Sequence, residues 1–510
     1  MIEINEKFKQ VESLVWEGKN VFVTGRAGVG KSTLLTYLKD KIDWPAVVLA
    51  PTGVAAVNIG GQTIHSFFGF KPDITEERAE HLGKKSKKKI YRQLQTVIID
   101  EISMVRADLL DCIDVFLRKA RRAEMPFGGV QLVMFGDLFQ LPPIVTREDK
   151  KWMQDVYPTA YFFSAKVMAD FNYEIVELTK VYRQNDPSFI EILNGIRNRS
   201  ISEEMLAELN QRHQPDYVFG QEENEICLTA TNQRAEEINQ KMLAGLPGKE
   251  FRLVGLISGE FGERRLPAPL ELTLKEGAQI MLTNNDSKGR WINGSLGKVK
   301  KIKPREDLVI VESEAGEIWK VAPYTWEMFR YYWDEEKGQV ASELVGSYEQ
   351  FPMILAWAIT IHKSQGKTFE KVVVDLDRGV FANGQLYVAL SRCTSLEGLV
   401  LKQACQRKQM LLDWEVVKFL NGREYEKAEK KMSLTAKRKL IEEAIEKGRK
   451  IEIVYLKSNG DRSKRVIEPY EVGETEYRSV SYEGLVGFCH LRGEERVFRL
   501  DRILELKMVE

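Results

Sequence analysis

The stretch GRAGVGKST, residues 25–33, decides the fold of the first part of the chain. It matches the pattern G-x-x-x-x-G-K-[ST] at Gly25, Gly30, Lys31 and Ser32. The apolar run VFVT precedes it and predicts a buried strand, and LLTYLKDKI follows with apolar residues at helical spacing. Glycines let the loop turn its N–H groups towards a phosphate chain, which the start of the helix also favours. The pattern assigns Lys31 to the β- and γ-phosphates and Ser32 to Mg²⁺. A chance glycine-rich turn is the alternative.

The composition predicts a globular protein of several compact units. The chain has 510 residues, too many for one core, and its 43% hydrophobic and 29% charged residues are ordinary. Lysine plus arginine and aspartate plus glutamate both total 75, so any surface for nucleic acid must be local. The cysteines form no C-x-x-C motif and no metal spacing with the histidines, which indicates a reduced, cytoplasmic protein without structural zinc. Without a signal peptide or an apolar run of about 18 residues, neither secretion nor membrane spanning is expected.

Two further strand ends carry polar side chains that suit phosphate chemistry. TVIIDEIS, residues 96–103, predicts a strand that ends at Asp100 and Glu101. We expect Asp100 to hold the water shell of Mg²⁺ and Glu101 to polarise an attacking water as general base. GGVQLVMFGDLFQLPPI, residues 128–144, places Gln140 just past a strand end, where a glutamine can sense a terminal phosphate. Because these strands alternate with helices, we expect a parallel sheet with the site at its carboxyl edge.

Another polar set follows the strand AVVLAPTG, residues 46–53. Its hydroxyl and imidazole groups suit contacts with phosphate or sugar, and the neighbouring Phe67 and Phe68 either stack on bases or fill the core. A lysine-rich stretch within residues 71–92 is either an insertion that meets nucleic acid or a solvated surface. The candidates for nucleic-acid contact are Thr52, Gly53, Thr63, His65 and Ser66.

The second half of the chain repeats the pattern of strand and helix around two arginines. Arg183 precedes a helix start at QNDP, and Arg392 lies in the predicted helix of LYVALSRC. Each is a candidate arginine finger, which stabilises charge on a γ-phosphate held by another lobe, and for Arg392 a surface salt bridge is the alternative. Residues 251–350 are rich in strands and punctuated by glycine, which predicts a small inserted β domain.

Seven motifs occur in one order: the phosphate loop, APTGVAA, DEIS, GDLFQLPP, VYRQNDPSF, WAITIHKSQGKT and LYVALSR. Over about residues 5–415 this set resembles the superfamily 1 helicases of the petite-integration-frequency (Pif) type, relatives of the RecD-like enzymes. The resemblance implies two RecA-like lobes that bind ATP and Mg²⁺ in the cleft between them. It also implies 5′ to 3′ movement on single-stranded DNA and unwinding of duplexes, G-quadruplexes and RNA–DNA hybrids. The family's roles are DNA repair, recombination and telomere maintenance.

The resemblance also implies roles for individual residues. Gln140 would sense the γ-phosphate, and Arg183 and Arg392 would contact the γ-phosphate from its opposite side. Gln10 would hydrogen-bond the adenine, and a plain surface glutamine is the alternative. Single-strand contacts map onto Thr52, His65, His362 and Lys363. Asp100 and Glu101 would carry out hydrolysis, and Ser32 and Asp100 would bind Mg²⁺. The residues expected to hold ATP are Gly25, Ala27, Gly28, Val29, Gly30, Lys31, Ser32, Thr33 and Gln10.

The tail of the chain changes to short strands. Residues 425–450 are charged and helical in pattern, and we expect residues 425–440 to be a linker that leads into a helix. About five short strands within residues 441–510 predict a small, Sm-like β-barrel. Through IVYL, RVIEP, GFCHLR and FRLDRI this part resembles the WYL domain of bacterial regulators, with Val454 in place of the eponymous tryptophan. The resemblance implies that a basic and aromatic set, which includes Arg496 and Arg502, binds a ligand or nucleic acid. A charged rim that only docks on the rest of the chain is the alternative.

Together the patterns predict an α/β protein with two RecA-like P-loop NTPase lobes, an inserted small β-barrel and a C-terminal WYL barrel. The expected function is an ATP-dependent 5′ to 3′ DNA helicase that acts as a monomer on single-stranded and forked DNA, at the bacterial nucleoid. Two alternatives stay open: a P-loop ATPase that translocates on or remodels nucleic acid without separating strands, regulated by a ligand at the WYL domain, and a binding-only regulator. The expected boundaries are 1–176 for the first lobe, 177–250 with 351–424 for the second, 251–350 for the insertion, 425–440 for the linker and 441–510 for the WYL domain.

Overall fold

A computed structural model describes residues 4–182, 184, 186–220, 225–261, 266–376, 379, 382–477 and 480–509. The chain divides into two compact units. The first is Met1–Ile196 with Ser202–Leu411, and the second is Arg197–Ile201 with Leu412–Glu510. The predicted lobes and insertion lie in the first unit, and the tail lies in the second.

The first lobe is a parallel sheet with helices in the connections between its strands. The strands are β1 (Val21–Gly25), β2 (Ala46–Ala50), β3 (Gln62–Thr63), β4 (Thr96–Ile99), β5 (Gln131–Phe135) and β6 (Glu174–Leu178). They pair in the order β3-β2-β4-β5-β1-β6. Every residue of β1, β4 and β5 is buried, as expected for a sheet covered on both faces. The helices are α1 (Glu6–Trp16), α2 (Lys31–Lys41), α3 (Gly53–Asn58), α4 (Ile64–Phe68), α5 (Glu76–Lys85), α6 (Lys89–Gln93), α7 (Ala107–Arg121) and α8 (Arg147–Val156).

The first lobe extends past the boundary predicted at residue 176. β6 pairs with β1 from Glu174 opposite Val21 to Leu178 opposite Gly25. Residues 177 and 178, which we assigned to the second lobe, therefore belong to the first sheet. Local sequence predicts this strand but does not reveal which of two sheets it joins.

The second lobe begins after β6 and is interrupted by the inserted domain. Its first stretch holds α9 (Pro187–Arg197), α10 (Glu203–Asn210), β7 (Ile226–Thr229) and α11 (Asn232–Gly245). Helix α9 and the pair of β7 and α11 follow the pattern of strand and helix read from the sequence, whereas α10 was not predicted.

The inserted domain is antiparallel and extends past the boundary predicted at residue 350, because residues 353–355 pair with residues 280–282 of its largest sheet. Its strands are β8 (Phe251–Val254), β9 (Leu256–Gly259), β10 (Glu271–Leu274), β11 (Gln279–Leu282), β12 (Leu296–Lys303), β13 (Leu308–Ser313), β14 (Ile318–Val321), β15 (Tyr324–Asp334), β16 (Gln339–Gln350) and β17 (Met353–Leu355). They form sheets in the orders β14-β13-β12-β11-β17, β15-β16-β9 and β10-β8. Trp291, Trp319 and Met353 lie in the buried core of the domain. β15 and β16 form a long hairpin.

The chain then completes the second lobe with β18 (Ala358–Thr360), β19 (Val372–Asp375), α12 (Gln385–Leu390) and β20 (Leu399–Leu401). Together with β7 these strands form a parallel sheet in the order β18-β7-β19-β20. The parallel α/β lobes predicted from the sequence are confirmed.

The second unit packs two helices with a five-stranded antiparallel sheet. The helices are α13 (Trp414–Lys431) and α14 (Leu434–Glu446). The strands are β21 (Ile451–Leu456), β22 (Arg462–Tyr477), β23 (Val480–Cys489), β24 (Glu494–Arg499) and β25 (Ile503–Met508), in the order β24-β23-β22-β21-β25. Ile441 of α14 packs with Ile453, Leu485 and Ile503 in its core. The five strands predicted for the tail are confirmed, but not all of them are short, since β22 spans 16 residues and β23 spans 10.

Residues 425–440 are not a linker. They lie in α13 and α14, where Ala428 and Lys437 are only 4% and 1% exposed. The run of lysines and glutamates that suggested a solvated connection lies largely on the outer faces of these helices.

Within the described part of the chain, no helix combines the length and the apolar character needed to cross a membrane.

Candidate functional site

The glycine-rich loop joins the end of β1 to the start of α2. Gly25 and Gly30 have positive φ angles of 149° and 86°, and Gly30 is the N-cap of α2. A Cβ at residue 25 would lie 2.5 Å from the carbonyl oxygen of Leu178 in β6, so only glycine fits there. The strand, loop and helix predicted around residues 25–33 are therefore confirmed.

Lys31 folds back over this loop. Its Nζ donates hydrogen bonds to the carbonyl oxygens of Gly25 and Arg26, at 2.7 and 2.9 Å. An ammonium group held there can exchange these neutral acceptors for phosphate oxygens, which form stronger, charge-assisted hydrogen bonds. Ser32 and Thr33 follow in the first turn of α2 and are exposed.

Asp100 and Glu101 follow β4 at the carboxyl edge of the same sheet. Glu101 has φ 49° and ψ 45°, a left-handed conformation that costs a non-glycine residue on the order of 1 kcal/mol. The Oδ1 atom of Asp100 accepts a hydrogen bond from the backbone N–H of Glu101 at 2.9 Å. Desolvation and, next, the charge of Asp100 raise the pKa of Glu101 to about 7, and desolvation also raises the pKa of Asp100. A carboxyl group with a pKa near neutrality is suited to accept a proton from water.

Gln140 lies in the loop after β5 and is held by Asp137. The two residues are buried, at 7% and 1% exposure, and the Nε2 of Gln140 donates to Oδ2 of Asp137 at 3.1 Å. Oδ1 of Asp137 accepts a hydrogen bond from the N–H of Phe139 at 3.1 Å. Sequence reasoning gave Asp137 no role, although GDLFQ places it three residues before Gln140.

The second lobe brings Arg392 to this site. Arg392 is 1% exposed, so it is not a surface arginine. Its guanidinium group donates to the carbonyl oxygen of Val388 and to Oγ of Ser391, both at 2.9 Å. Its positive charge acts to lower the pKa of Glu101, against the larger effect of desolvation, which raises it. Arg183, the other predicted finger, lies outside the described residues.

Lys31, Glu101, Gln140 and Arg392 line one cavity of about 570 Å³, within the usual range for small-molecule sites, whereas Asp100 is not among its lining residues. Gln10 is not among the lining residues; it is exposed on α1, and its Oε1 accepts a hydrogen bond from Lys7. The alternative of a surface glutamine is therefore the one observed. The lining residues are Phe8, Ala27, Gly28, Val29, Gly30, Lys31, Ser32, Thr33, Glu101, Gln140, Tyr182, Gly366 and Arg392.

The side-chain oxygens of Ser32 and Asp100 are suitable ligands for a magnesium ion that is bound mainly by the phosphates of a nucleotide. Mg²⁺ prefers oxygen ligands, keeps several waters and binds through one or two carboxylates together with phosphates. Ser32 offers an exposed hydroxyl, and Asp100 offers a carboxylate that interacts with the charge of Lys31. Among the residues that the structure describes, no cluster of three or more His, Cys, Asp or Glu forms a metal site on its own.

The first-lobe candidates for DNA contact lie at the starts of two short helices. The hydroxyl of Thr52 caps α3, and that of Thr63 caps α4 by accepting the N–H of Ser66 at 3.2 Å. Ser66 is exposed and His65 is half-buried. A Cβ at Gly53 would meet open space. The caps hold both loops in place and leave backbone and side chains accessible beside them.

Phe67 and Phe68 are not platforms for bases. They are 3% and 2% exposed and pack against Tyr91 and, for Phe68, Phe116. The alternative that we weighed, a pair of core aromatics, is the one observed.

The second-lobe candidates, His362 and Lys363, are exposed in the turn after β18. Four residues later, Lys367 donates a hydrogen bond to Asn293 of the inserted domain, and burial lowers its pKa to about 8. This contact joins the turn to the insertion.

The hairpin of the inserted domain also reaches the first-lobe candidates. The N–H of Tyr331 in β15 donates to Oε1 of Gln62 at 3.3 Å, and Nε2 of Gln62 donates to Oγ of Ser66 at 2.8 Å. Sequence reasoning missed Gln62 and Tyr331, because 269 residues separate them and no local pattern connects them.

In the second unit, the predicted basic residues are partly paired with acids. Arg496 is exposed, and its Nε donates to Glu494 at 2.7 Å. Arg502 is half-buried in the turn before β25. The guanidinium group of Arg499 bonds Asp501 and lies 4.9 Å from the centre of the Tyr482 ring.

Comparison with known proteins identifies both parts of the chain. Residues 3–205 match the family described as PIF1-like helicase, and residues 437–508 match the WYL domain. The ATP-dependent DNA helicase Pif1 of Bdellovibrio bacteriovorus is 32% identical over 411 residues, which is 78% of this chain and 88% of that protein. The ATP-dependent DNA helicase PIF1 of Homo sapiens is 34% identical over 406 residues, and the match covers 78% of this chain and 60% of the human protein.

Solved structures of Bacteroides sp Pif1 share the fold. The complex with ADP-AlF4 has a TM-score of 0.76 at 37% identity and covers 84% of this chain and 98% of that one. The form bound to ssDNA has a TM-score of 0.59 at 37% identity and covers 83% of this chain and 97% of that one. The expected RecA-like fold is confirmed. The chain therefore belongs to the PIF1-like family of ATP-dependent DNA helicases, extended by a WYL domain at its C-terminal end.

Proposed function

We propose that this protein uses ATP to move 5′ to 3′ along single-stranded DNA and to separate the duplex ahead of it. The observation that carries the proposal is the cavity in which Lys31 and Glu101 of the first lobe face Arg392 of the second. A nucleotide bound there touches both lobes, so its binding and hydrolysis change their separation. Both lobes hold the same DNA strand. When they alternately close and part, the protein advances along that strand.

The polar groups at the cavity and beside it have separate parts in hydrolysis. ATP with Mg²⁺ supplies the phosphoryl group, and Ser32 and Asp100 would hold the metal ion. Lys31 binds the β- and γ-phosphate oxygens, and Glu101 takes a proton from the attacking water. Gln140, held by Asp137, senses the γ-phosphate. Arg392 supplies positive charge where negative charge develops on the γ-phosphate, and Arg183 is proposed for the same task from its sequence position.

Single-stranded and forked DNA are the proposed substrates. Similar Bacteroides Pif1 chains have been solved bound to ssDNA and in a structure described as DNA unwinding at forked dsDNA by two coordinating Pif1 helicases. G-quadruplex DNA, RNA–DNA hybrids, action as a monomer and a place at the bacterial nucleoid are extended from the family. The proposed contacts are Thr52, Gly53, Thr63, His65 and Ser66 on the first lobe and His362 and Lys363 on the second.

The WYL domain is proposed to add a further contact to DNA. The guanidinium groups of Arg496 and Arg502 can pair with phosphates, and exposed rings such as that of Tyr470 can stack on bases. This contact is electrostatic, so it weakens as salt rises.

Strand separation measured beside ATP hydrolysis, on one tailed duplex, tests the proposal. A helicase hydrolyses ATP and releases the fluorescent strand in the same reaction. The alternative, an ATPase that translocates on or remodels nucleic acid, hydrolyses ATP at a DNA-stimulated rate and leaves the strands paired. That second result would overturn the proposal while leaving the nucleotide site intact.

A further inference from the structure

Helix α12 reaches the glycine-rich loop through Tyr387, to which the roles above assign nothing. The hydroxyl oxygen of Tyr387 accepts a hydrogen bond from the N–H of Ala27 at 3.2 Å, across 360 residues of chain. The two residues are 4% and 7% exposed, so water has little access to this bond. A group from the second lobe therefore satisfies a buried amide of the phosphate loop.

The Ala27 amide belongs to the loop that is proposed to bind the phosphate chain. Ala27 is the third residue of the G-x-x-x-x-G-K-[ST] pattern and lines the cavity beside Lys31. A backbone N–H carries a single donor, so a phosphate oxygen that accepts from it must displace the hydroxyl. The exchange is favourable because a charged acceptor forms the stronger hydrogen bond.

Tyr387 lies on a short helix that is anchored at both ends of the site. Every residue of α12 is buried. At its start, Gly384 packs against the backbone of Phe139 and Gln140, and beyond its end Arg392 lines the cavity. A change at the Tyr387 hydroxyl therefore occurs on the helix that ends two residues before Arg392.

We propose that Tyr387 is a positioning residue that senses whether the phosphate loop is occupied. We assign the bond between its hydroxyl and the Ala27 amide to the phosphate loop before a nucleotide binds. A phosphate takes over that amide on binding, and the loss of this one hydrogen bond lets Arg392, just past the end of α12, shift towards the γ-phosphate. The inference rests on the proposed nucleotide site. It adds the Tyr387 hydroxyl of the second lobe, which competes with the phosphate for the Ala27 amide.

The substitution Tyr387→Phe tests the inference in the full chain, because it keeps the ring and removes only the hydroxyl. The variant without nucleotide has a buried Ala27 amide with no acceptor, whereas a phosphate satisfies that amide in both proteins. An unsatisfied buried amide of this kind corresponds to roughly a 5- to 150-fold change in an equilibrium. We expect ADP to bind tighter to Tyr387→Phe by a factor in this range, measured by fluorescence anisotropy of labelled ADP, and the KM for ATP to fall in parallel.

The matched control is Tyr348→Phe, which removes another buried hydroxyl. The Tyr348 hydroxyl donates to the carbonyl oxygens of Ala268 and Pro269 in the inserted domain, at 3.0 and 2.9 Å. Its loss should leave ADP affinity unchanged, and thermal melting checks the fold of both variants.

The outcomes separate this inference from the proposed function. Unchanged ADP affinity in Tyr387→Phe would overturn it, and weaker binding would do so as well, because the hydroxyl would then be a direct ligand of the nucleotide. A parent protein that binds no ADP would overturn the nucleotide site itself. Structural damage at residue 387 predicts weaker binding, so tighter binding cannot arise from misfolding.

Discussion

Gly384 of the second lobe lies directly against the backbone of Gln140 in the first lobe. A Cβ at residue 384 would lie 2.6 Å from the carbonyl oxygen of Gln140, and residue 384 has a φ of 71°. Close approach and backbone conformation therefore both require glycine there. Because Gln140 is the proposed γ-phosphate sensor, this contact joins the sensor loop to α12.

Gly384→Ala should separate α12 from the sensor loop. The added methyl group meets backbone atoms that cannot rotate away, so the catalytic groups of the two lobes shift apart. A misplacement of about 1 Å can cost roughly 100-fold in rate, and we expect DNA-stimulated kcat to fall about 10- to 100-fold. A coupled ATPase assay with saturating oligonucleotide measures it.

Gly422→Ala is the matched control for that substitution. Residue 422 lies within α13, and a Cβ there meets nothing within 4 Å. This change should leave kcat unaltered and raise stability slightly, since alanine favours helix over glycine by about 1 kcal/mol. Equal turnover by both alanine variants would show that the contact at residue 384 has no part in catalysis.

The pH dependence of hydrolysis should report Glu101. The general base must be deprotonated, and desolvation followed by the charge of Asp100 raises the pKa of Glu101 to about 7. DNA-stimulated kcat/KM should therefore fall as pH decreases through about 7, approaching tenfold per pH unit, and level off above it. Glu101→Gln should still bind ATP but lose turnover at every pH. A flat profile between about pH 5.5 and 8, or near-parental turnover in this variant, would remove Glu101 from the mechanism.

Arg392→Lys should separate charge from geometry at the second-lobe arginine. Lysine keeps the positive charge but cannot reproduce the planar guanidinium group that bonds Val388 and Ser391. An arginine finger is worth on the order of 10³ to 10⁵ in rate, so most DNA-stimulated turnover should be lost while nucleotide affinity falls less. Single-turnover hydrolysis and labelled-ADP binding measure the two effects. A variant with parental single-turnover rates would make Arg392 a structural residue.

Short motifs made much of the site predictable. Lys31 was identified from the G-x-x-x-x-G-K-[ST] pattern. Asp100 and Glu101 were identified because they follow a run of apolar residues that predicts a strand, and the carboxyl ends of parallel strands meet at one edge of a sheet. Arg392 was predicted within a helix, but α12 ends at Leu390, and Arg392 is found buried at the cavity two residues beyond it.

The remaining features depend on contacts between distant parts of the chain. Tyr387 meets Ala27 only because the second lobe folds against the loop, and nothing in the local sequence marks either residue for the other. Gln10 lies on the predicted helix but does not line the cavity, whereas Phe8, two residues earlier, does. Each residue turns an α-helix by about 100°, so a small shift in sequence position places a side chain on another face. Residues 425–440 were misread because exposed helix faces and linkers share a charged composition.

The substitutions Arg496→Ala and Arg502→Ala, made together in the full chain, test the WYL domain. If the domain contacts DNA, this variant should bind a labelled oligonucleotide more weakly at low salt, and the difference from the parent should shrink as salt rises. DNA-stimulated ATPase at saturating DNA should remain, because every ATPase motif precedes residue 401. A chain ending at Leu411, the last residue of the first unit, should show the same loss. Indistinguishable affinities at low salt would favour a protein or small-molecule partner for this domain.

The polarity of unwinding tests the central claim most directly. Two duplexes of identical sequence, one with a 5′ single-stranded tail and one with a 3′ tail, are incubated with ATP, and release of a quenched fluorescent strand is followed. We expect release from the 5′-tailed duplex alone and none with Lys31→Ala, which loses the charge that faces the β- and γ-phosphates but should keep single-strand binding. Release from the 3′-tailed duplex, release from neither duplex, or parental release by Lys31→Ala would contradict an ATP-driven 5′ to 3′ helicase.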